Sequence, residues 1–421
     1  ATEDSRRGTT RYVYTPNGQL EYAEYGDGTE QWRKSDSLGN LYPDPDCTVR
    51  RFLKGGAMEQ DGKWHCEYDK DGNLTERYIG TGRWLDGKKE HWKYRWNADG
   101  SLAKVVRPDG EEVTFEYDAL GRRLSKSFGT TVTRWMWNWN VPLHQWKQKR
   151  SYSREQSAWL TEEERKERTL WLFEEESFVP AAMIKEGKAY SILTDHLGTP
   201  AEAYDAEGNE VWSRTLDMNG EVIEESGNVG MIPFLFQGQY YDRETGLAYN
   251  RFRYYSPHMG CYISQDSIKL YGGELNLYSY VFDTNLLIDI LGLSARLDYL
   301  GKTPSKKSKT GREVIERMKS EGLIKQGDNG LLFYDKEKKA WYDISEADMG
   351  HKTDAVKYWN KVGRKFGPKS KEVRQWMLNS DNYELQHYSS NRSNGAKLTD
   401  RYKKPIKKKN SRGSTYSKKN N

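Results

Sequence analysis

Five short stretches share one form and dictate most of what this chain can fold into: YTPNGQLEY around Gly18, SDSLGNLY around Gly39, YDKDGNLTERY around Gly72, WNADGSLAKV around Gly100 and YDALGRRLSKSF around Gly121. An aromatic precedes a polar pair, Gly follows, and then Leu or another apolar residue. Gly18 to Gly39 and Gly100 to Gly121 are 21 residues apart and Gly72 to Gly100 is 28, a loose but real period. Asp-Gly and Asn-Gly permit positive φ at a turn, and the alternation in Thr114, Phe115, Glu116 and Tyr117 puts aromatics on one face, so each unit reads as a β-hairpin. A lone hairpin is marginal in water. Such units must stack edge to edge into a long sheet, and the 44 Tyr and Trp residues supply buried area that an apolar content of 35% otherwise lacks.

Charge divides the chain near residue 293. Residues 1–293 carry 36 Lys+Arg against 47 Asp+Glu, a net of −11, whereas 294–421 carry 31 against 15, a net of +16. This asymmetry is expected when only one part of a chain meets nucleic acid. Cys47, Cys66 and Cys261 are few, odd in number and far apart, so neither a disulfide framework nor a thiolate metal site is indicated. No run of about 18 apolar residues appears, so no membrane span is expected, and no secretory leader is evident. The chain opens inside a repeat, which reads as the tail of something longer.

Taken alone, the repeats also suit a surface or adhesion protein whose aromatic β-array binds sugar. Together with TDHLGTPAEAYDAEGNEVW, Thr194 to Trp212, they resemble the RHS/YD-repeat proteins. The resemblance implies a hollow shell wound from a β-sheet spiral, of which residues 1–236 would be the last part. His196 is expected to hydrogen-bond within its turn rather than catalyse. Ser151 to Arg168, SYSREQSAWLTEEERKER, reads as a charged helical or loop insertion.

Residues 237–293 resemble the RHS core-associated module almost without a gap. In that family the module is an aspartyl self-protease that cuts after the Leu of a D-x-x-G-L sequence. The resemblance implies a cut between Leu293 and Ser294, with Asp266 and Asp289 as paired carboxylates and Arg253 beside them. Two Asp held close together cannot both ionise cheaply, so one keeps a proton as acid while the other activates water. Ser256, Ser267, Cys261 and Ile290 depart from the family's usual Asp, Pro, Arg and Pro, and none removes a proposed catalytic group.

Residues 294–310 read as a Ser/Lys/Gly linker. GREVIERMKSEG then predicts a helix stopped by Gly322, LLFYDKEKKAWYDI a hairpin, SKEVRQWMLN a second helical stretch and NYELQH a strand, which together suggest a small α+β domain of ββα-metal nuclease type. Asp348-Met349-Gly350-His351, Asn382-Tyr383 and Asn391-Arg392-Ser393 resemble the GH-E branch of the HNH/endonuclease VII nucleases. The resemblance implies His351 as general base, Asp348 and Asn391 as oxygen ligands of a divalent ion, and Asn382 as a loop brace. The acidic residue that names the branch aligns with Gln386, with Glu384 two residues earlier on the same strand face. The ion would be Mg²⁺, with Zn²⁺, Mn²⁺ or Ni²⁺ as alternatives. His387 is expected to face solvent.

Arg392, Lys397, Lys403 and Lys404 lie in a basic run suited to phosphate binding without base reading. The reading as a whole is a secreted polymorphic toxin, delivered into a target bacterial cell, that self-cleaves to free a metal-dependent DNase, residues 294–421. Its expected partners are DNA, a cognate immunity protein, its own shell enclosing the toxin, and delivery components outside this chain. An RNase on the same scaffold is the alternative enzyme.

Overall fold

The computed structural model describes residues 2–4, 8–15, 19–80, 87–175, 177–267, 275–281, 283–285, 287–293, 300, 303–327, 330–367 and 370–387. It divides into two compact units, residues 1–294 and 295–421.

The first unit is almost entirely β. Strands Thr2–Asp4, Gly8–Tyr14, Leu20–Glu24 and Glu30–Trp32 make a small four-stranded sheet, and the strands from Arg50–Phe52 to Val222–Gly227 join consecutively into one antiparallel sheet that closes as a barrel. The repeat's Asp explains why its turns recur. Asp69 Oδ1 accepts from the amides of Asp71 and Asn73, both at 2.9 Å, and Asp118 Oδ1 does the same for Leu120 and Arg122. The side chain thus satisfies the turn's amides, while Gly72 and Gly121 take the positive φ of +81° and +74° that the reversal needs.

Alternation along the strands builds the wall's buried face. In Glu112–Tyr117, Val113 and Phe115 are buried, and in Lys166–Phe173 the buried pair is Thr169 and Trp171. Phe115, Trp135 and Trp171 share one apolar cluster with Tyr240, Tyr249 and Tyr254, so the repeat wall and the segment after residue 236 are a single folded body. That segment is a four-stranded antiparallel sheet, Tyr240–Asp242, Leu247–Asn250, Arg253–Ser256 and Cys261–Tyr262.

Wall and segment are also pinned by charge. Arg123 pairs with Asp242, with Nη2 at 3.1 Å from Oδ1, and Lys126 Nζ lies 2.9 Å from the same carboxylate. All three are buried, and the Arg123 guanidinium lies 4.5 Å from the Trp135 ring centroid and 4.7 Å from that of Tyr249.

One expectation for this unit fails. Ser151 to Arg168 holds no helix, and its irregular residues are confined to a turn at 154–157 and a link at 162–165. Strand Val141–Ser153 runs on and pairs with Ala158–Thr161 as a hairpin, Tyr152 opposite Trp159, with the two rings edge to face at 5.6 Å. The aromatic pair across the ribbon outweighs the helix propensity of the Glu and Lys run. His196 Nε2 lies 2.9 Å from the Asn285 carbonyl.

In the second unit, helix Lys309–Ser320 is capped by Ser308, whose Oγ accepts from the Gly311 amide, and is followed by Gly322 at φ +72°. Its buried Val314 and Met318 pack on Phe333 of an antiparallel sheet, Ile324–Gly327, Gly330–Asp335 and Ala340–Asp343. Strands Ala347–His351 and Tyr383–His387 pair antiparallel. Between them lie helices Ala355–Lys361 and Lys371–Leu378, started by Asp354 and Ser370. The paired strands Ala347–His351 and Tyr383–His387 are present with two helices between them, and the helix that the expected ββα unit needs after the second strand would fall at residues 388–421, outside the described residues.

Candidate active site

The best-formed constellation lies where the D-x-x-G-L sequence folds back on the module's sheet. Arg253 Nη2 lies 3.2 Å from Asp289 Oδ2 and 3.4 Å from Asp266 Oδ2, so one guanidinium nitrogen bridges both carboxylates. All three residues are buried, with Asp289 2% exposed, Arg253 3% and Asp266 7%. Burial pushes the Asp289 carboxyl up to about 6, opposed by the Arg253 charge, the Leu293 amide and the Tyr262 hydroxyl.

The strap from Asp289 to Leu293 is held by its backbone. Arg253 Nε donates to the Gly292 carbonyl at 2.5 Å, Asn250 Nδ2 to the Asp289 carbonyl at 2.8 Å, and the Phe252 amide to the Leu291 carbonyl at 3.4 Å. Gly292 adopts φ +65°, and a Cβ there would meet the Asn250 carbonyl oxygen at 2.5 Å. The Leu293 amide donates to Asp289 Oδ1 at 2.9 Å, which brings the carboxylate alongside the residue whose carbonyl would be cut. Asp266 and Ser267 line a cleft of roughly 960 Å³ between the turns carrying Asp69, Asp99 and Asp118, so Asp266 faces that cleft while Asp289 does not line it. Ser294 lies outside the described residues.

Asp266, Asp289, Arg253 and Leu293 are thus brought together. Sequence reading missed Tyr262 and Asn250. Tyr262 donates its hydroxyl to Asp289 Oδ2 at 2.9 Å, and its ring lies 3.6 Å under the Arg253 guanidinium. Asn250 Nδ2 donates to the Tyr262 hydroxyl at 2.7 Å. The one available signal was a neutral polar residue inside a run that must be buried, since buried polar groups need partners.

The family model for the Teneurin YD-shell matches residues 2–285. This chain is a member of that family. Relatives of this YD-shell protein include "Probable deoxyribonuclease RhsB" of Dickeya dadantii (strain 3937), 30% identical over 247 residues that make up 57% of this chain and 16% of the relative. "Double-stranded DNA deaminase toxin A" of Burkholderia cenocepacia (strain H111) is 28% identical over 315 residues, 70% of this chain and 21% of the relative. Among solved structures, "Crystal Structure of TcdB2-TccC3-TEV" overlays with a TM-score of 0.42 at 16% identity, covering 68% of this chain and 17% of that one. The chain spans about a fifth of the length of the curated relatives it matches. Its shell is of the YD-repeat kind carried by RHS toxins.

In the second unit of this YD-shell protein the expected nuclease residues separate. Strand register pairs Asp348 with Gln386, Gly350 with Glu384 and His351 with Tyr383. Asp348, Glu384 and Gln386 therefore share one face, where Gln386 Nε2 donates to Glu384 Oε1 at 3.0 Å and Lys336 Nζ stands 3.4 Å from Glu384 Oε2. His351 falls on the opposite, core-facing side with Met349, Tyr383 and Leu385, its ring 4.5 Å from that of Tyr383 and stacked on Trp376 at 5.4 Å. His351 and Asp348, three apart on this strand, project to opposite faces, and Asn391, the third member of the expected constellation, lies outside the described residues.

Asn382 Nδ2 donates to the Trp376 carbonyl at 2.7 Å, the geometry of a loop brace. His387 is buried rather than solvent-facing, its Nε2 3.3 Å from Glu346 Oε2 and its ring against Tyr342. Asn391, Arg392, Lys397, Lys403 and Lys404 lie outside the described residues. Among the described residues no three His, Cys, Asp or Glu side chains group closely enough to hold a metal ion, and of the two expected ligands only Asp348 is among them. No helix among them is long and apolar enough to cross a membrane.

Proposed function

We propose that this chain is the C-terminal part of a bacterial RHS-type toxin that hydrolyses its own Leu293–Ser294 bond and frees residues 294–421 as a nuclease acting on DNA. The observation that carries the first half is the bridging of Asp266 and Asp289 by Arg253 beside a strap whose Leu293 amide rests on Asp289. Two buried carboxylates on one cation cannot both ionise cheaply, so in this reading one keeps a proton while the other is ionised. Water adds to the Leu293 carbonyl carbon and gives its proton to the ionised carboxylate. The C–N bond then breaks, and the leaving nitrogen of Ser294 takes the proton of the other carboxyl. Arg253 balances the charge of the pair throughout, and its bond to the Gly292 carbonyl fixes the strap.

The nuclease half is supported by the net charge of +16 on residues 294–421 and by relatives whose names denote DNA cleavage or deamination. Its acidic and amide face is Asp348, Glu384 and Gln386. A divalent ion, Mg²⁺ first, is proposed only as an additive to test, and delivery into a target cell and an acidic immunity protein complete the reading.

Expression of the full chain tests both halves. The proposal expects fragments with the masses of 1–293 and 294–421, an intact chain for Asp266→Asn and for Asp289→Asn, and plasmid nicking by the cleaved preparation. An intact wild-type chain removes the self-protease. RNA degraded in place of plasmid reassigns the substrate.

A further inference from the structure

Nothing in the motif that suggests the paired carboxylates says which of them is ionised, yet the donors around Asp289 answer this. The Asp289 backbone carbonyl can only accept, so the Asn250 group 2.8 Å from it is the amide nitrogen, which fixes the orientation of that side chain. The same nitrogen lies 2.7 Å from the Tyr262 hydroxyl, which must therefore accept from Asn250 and turn its own hydrogen elsewhere. The acceptor it meets is Asp289 Oδ2, at 2.9 Å. Burial and the neighbouring Asp289 charge raise the Tyr262 hydroxyl well above its ordinary range, so it keeps that hydrogen at any working pH.

Asp289 thus receives three donors: Tyr262 and Arg253 on Oδ2 and the Leu293 amide on Oδ1. All three favour its charged form. Holding Asn250 in this orientation leaves its Oδ1 buried with no hydrogen-bond donor among the described residues, an unfavourable state that packing alone does not require.

We propose that Asn250 and Tyr262 are positioning residues of the self-cleavage site, a two-member relay that keeps Asp289 as the carboxylate that takes the proton of water and leaves the shared proton on Asp266. The inference rests on the self-cleavage reading. It adds a direction to it: the acid is the carboxyl that lines the cleft and the base is the one embedded in the strap. In the forward step the water proton passes to Asp289, the proton of Asp266 passes to the leaving nitrogen, and the pair ends with one proton, as it began.

The test uses the full chain collected uncut and unfolded from inclusion bodies in guanidinium, then refolded by dilution at a series of pH values, with cleavage followed on gels. Wild type is expected to cleave with a rate that rises through an acid limb near 6, where Asp289 ionises. Tyr262→Phe keeps the ring under Arg253 and removes the donor. It should slow cleavage roughly tenfold to a hundredfold at neutral pH and move the acid limb up by about one pH unit.

Asn250→Ala frees the hydroxyl to rotate and should shift the limb the same way. The double variant should be no slower than Tyr262→Phe, because both act through one path. Tryptophan fluorescence of each substitution in an Asp266→Asn background reports folding independently of cleavage. A Tyr262→Phe chain that cleaves at the wild-type rate, or cleaves slowly with an unmoved limb, overturns the relay; should that variant not fold, the limb of Asn250→Ala decides alone. A wild-type chain that never cleaves overturns the self-protease itself, a different failure.

Discussion

Leu293 gives its amide hydrogen to the carboxylate of Asp289, four residues before it, at 2.9 Å. A group proposed to act on the bond and the residue that forms the bond's acyl side are therefore fixed to each other by a turn only five residues long. The turn depends on Gly292, since φ +65° and a carbonyl 2.5 Å from any added Cβ exclude a side chain. Gly292→Ala is expected to leave the chain uncut, with the wall still folded. Mass spectrometry of the purified chain checks this, the wild-type pair of fragments being the outcome that opposes it.

Gly238 guards the other side of the same turn. At φ +85° its added Cβ would meet the Ile290 carbonyl at 2.1 Å, against backbone that cannot rotate away. Gly238→Ala should reduce self-cleavage severely while an untouched surface turn, such as Gly208→Ala, does not. Comparing the cut fraction of the two variants after equal expression separates a specific strap defect from general loss of fold.

The pin between wall and module has a stability consequence. Arg123→Met leaves Asp242, fully buried, with Lys126 as its remaining ion-pair partner among the described residues, and breaking such a pair from one side destabilises by about 3–5 kcal/mol. Urea unfolding of Arg123→Met in the uncut Asp289→Asn background should show a lower midpoint at unchanged slope. A midpoint equal to that of the background would mean the aromatic contacts alone hold the two together.

Acid should stabilise the site rather than weaken it. Asp289 titrates near 6 in the folded chain against an ordinary value of 3.8, so between those limits the folded state binds more protons than the unfolded. Stability from this group is therefore fully present below about pH 4 and is lost as pH rises through 6, by roughly 3 kcal/mol at most. Melting of the uncut Asp266→Asn chain between pH 4 and 7 should show this fall, and adding Asp289→Asn to it should flatten the profile.

In the second unit, fold and chemistry should separate by strand face. His351→Ala removes a ring packed on Tyr383 and Trp376, so it should lower the melting temperature of that unit. Asp348→Asn and Glu384→Gln change the opposite face and should reduce nucleic-acid cleavage with little change in melting. Loss of cleavage in His351→Ala at an unchanged melting temperature would restore that side chain to the chemistry.

The turns were legible in the sequence because their physics is local: an Asp that accepts from its own turn amides, followed by a Gly that can take positive φ, needs nothing from the rest of the chain. Asp266, Asp289 and Arg253 were legible through a motif, not through spacing. Tyr262 and Asn250 were not, since neither carries charge and each acquires its part only when strands 250 and 262 are brought against residue 289. The hairpin over 151–168 was missed because a run of Glu and Lys favours helix until Tyr152 and Trp159 are placed opposite one another. Asp348 and His351 could have been separated beforehand: an odd spacing on a strand already forbids a shared face.

The placement of Asp289 within the strap has a further outcome. In the proposed reaction tool and workpiece belong to one covalent segment, and the acyl product would remain tethered where the next substrate would have to enter. Each molecule would then perform the reaction once, at a pace indifferent to how many copies surround it, and a spent shell would have no means of cutting its neighbour.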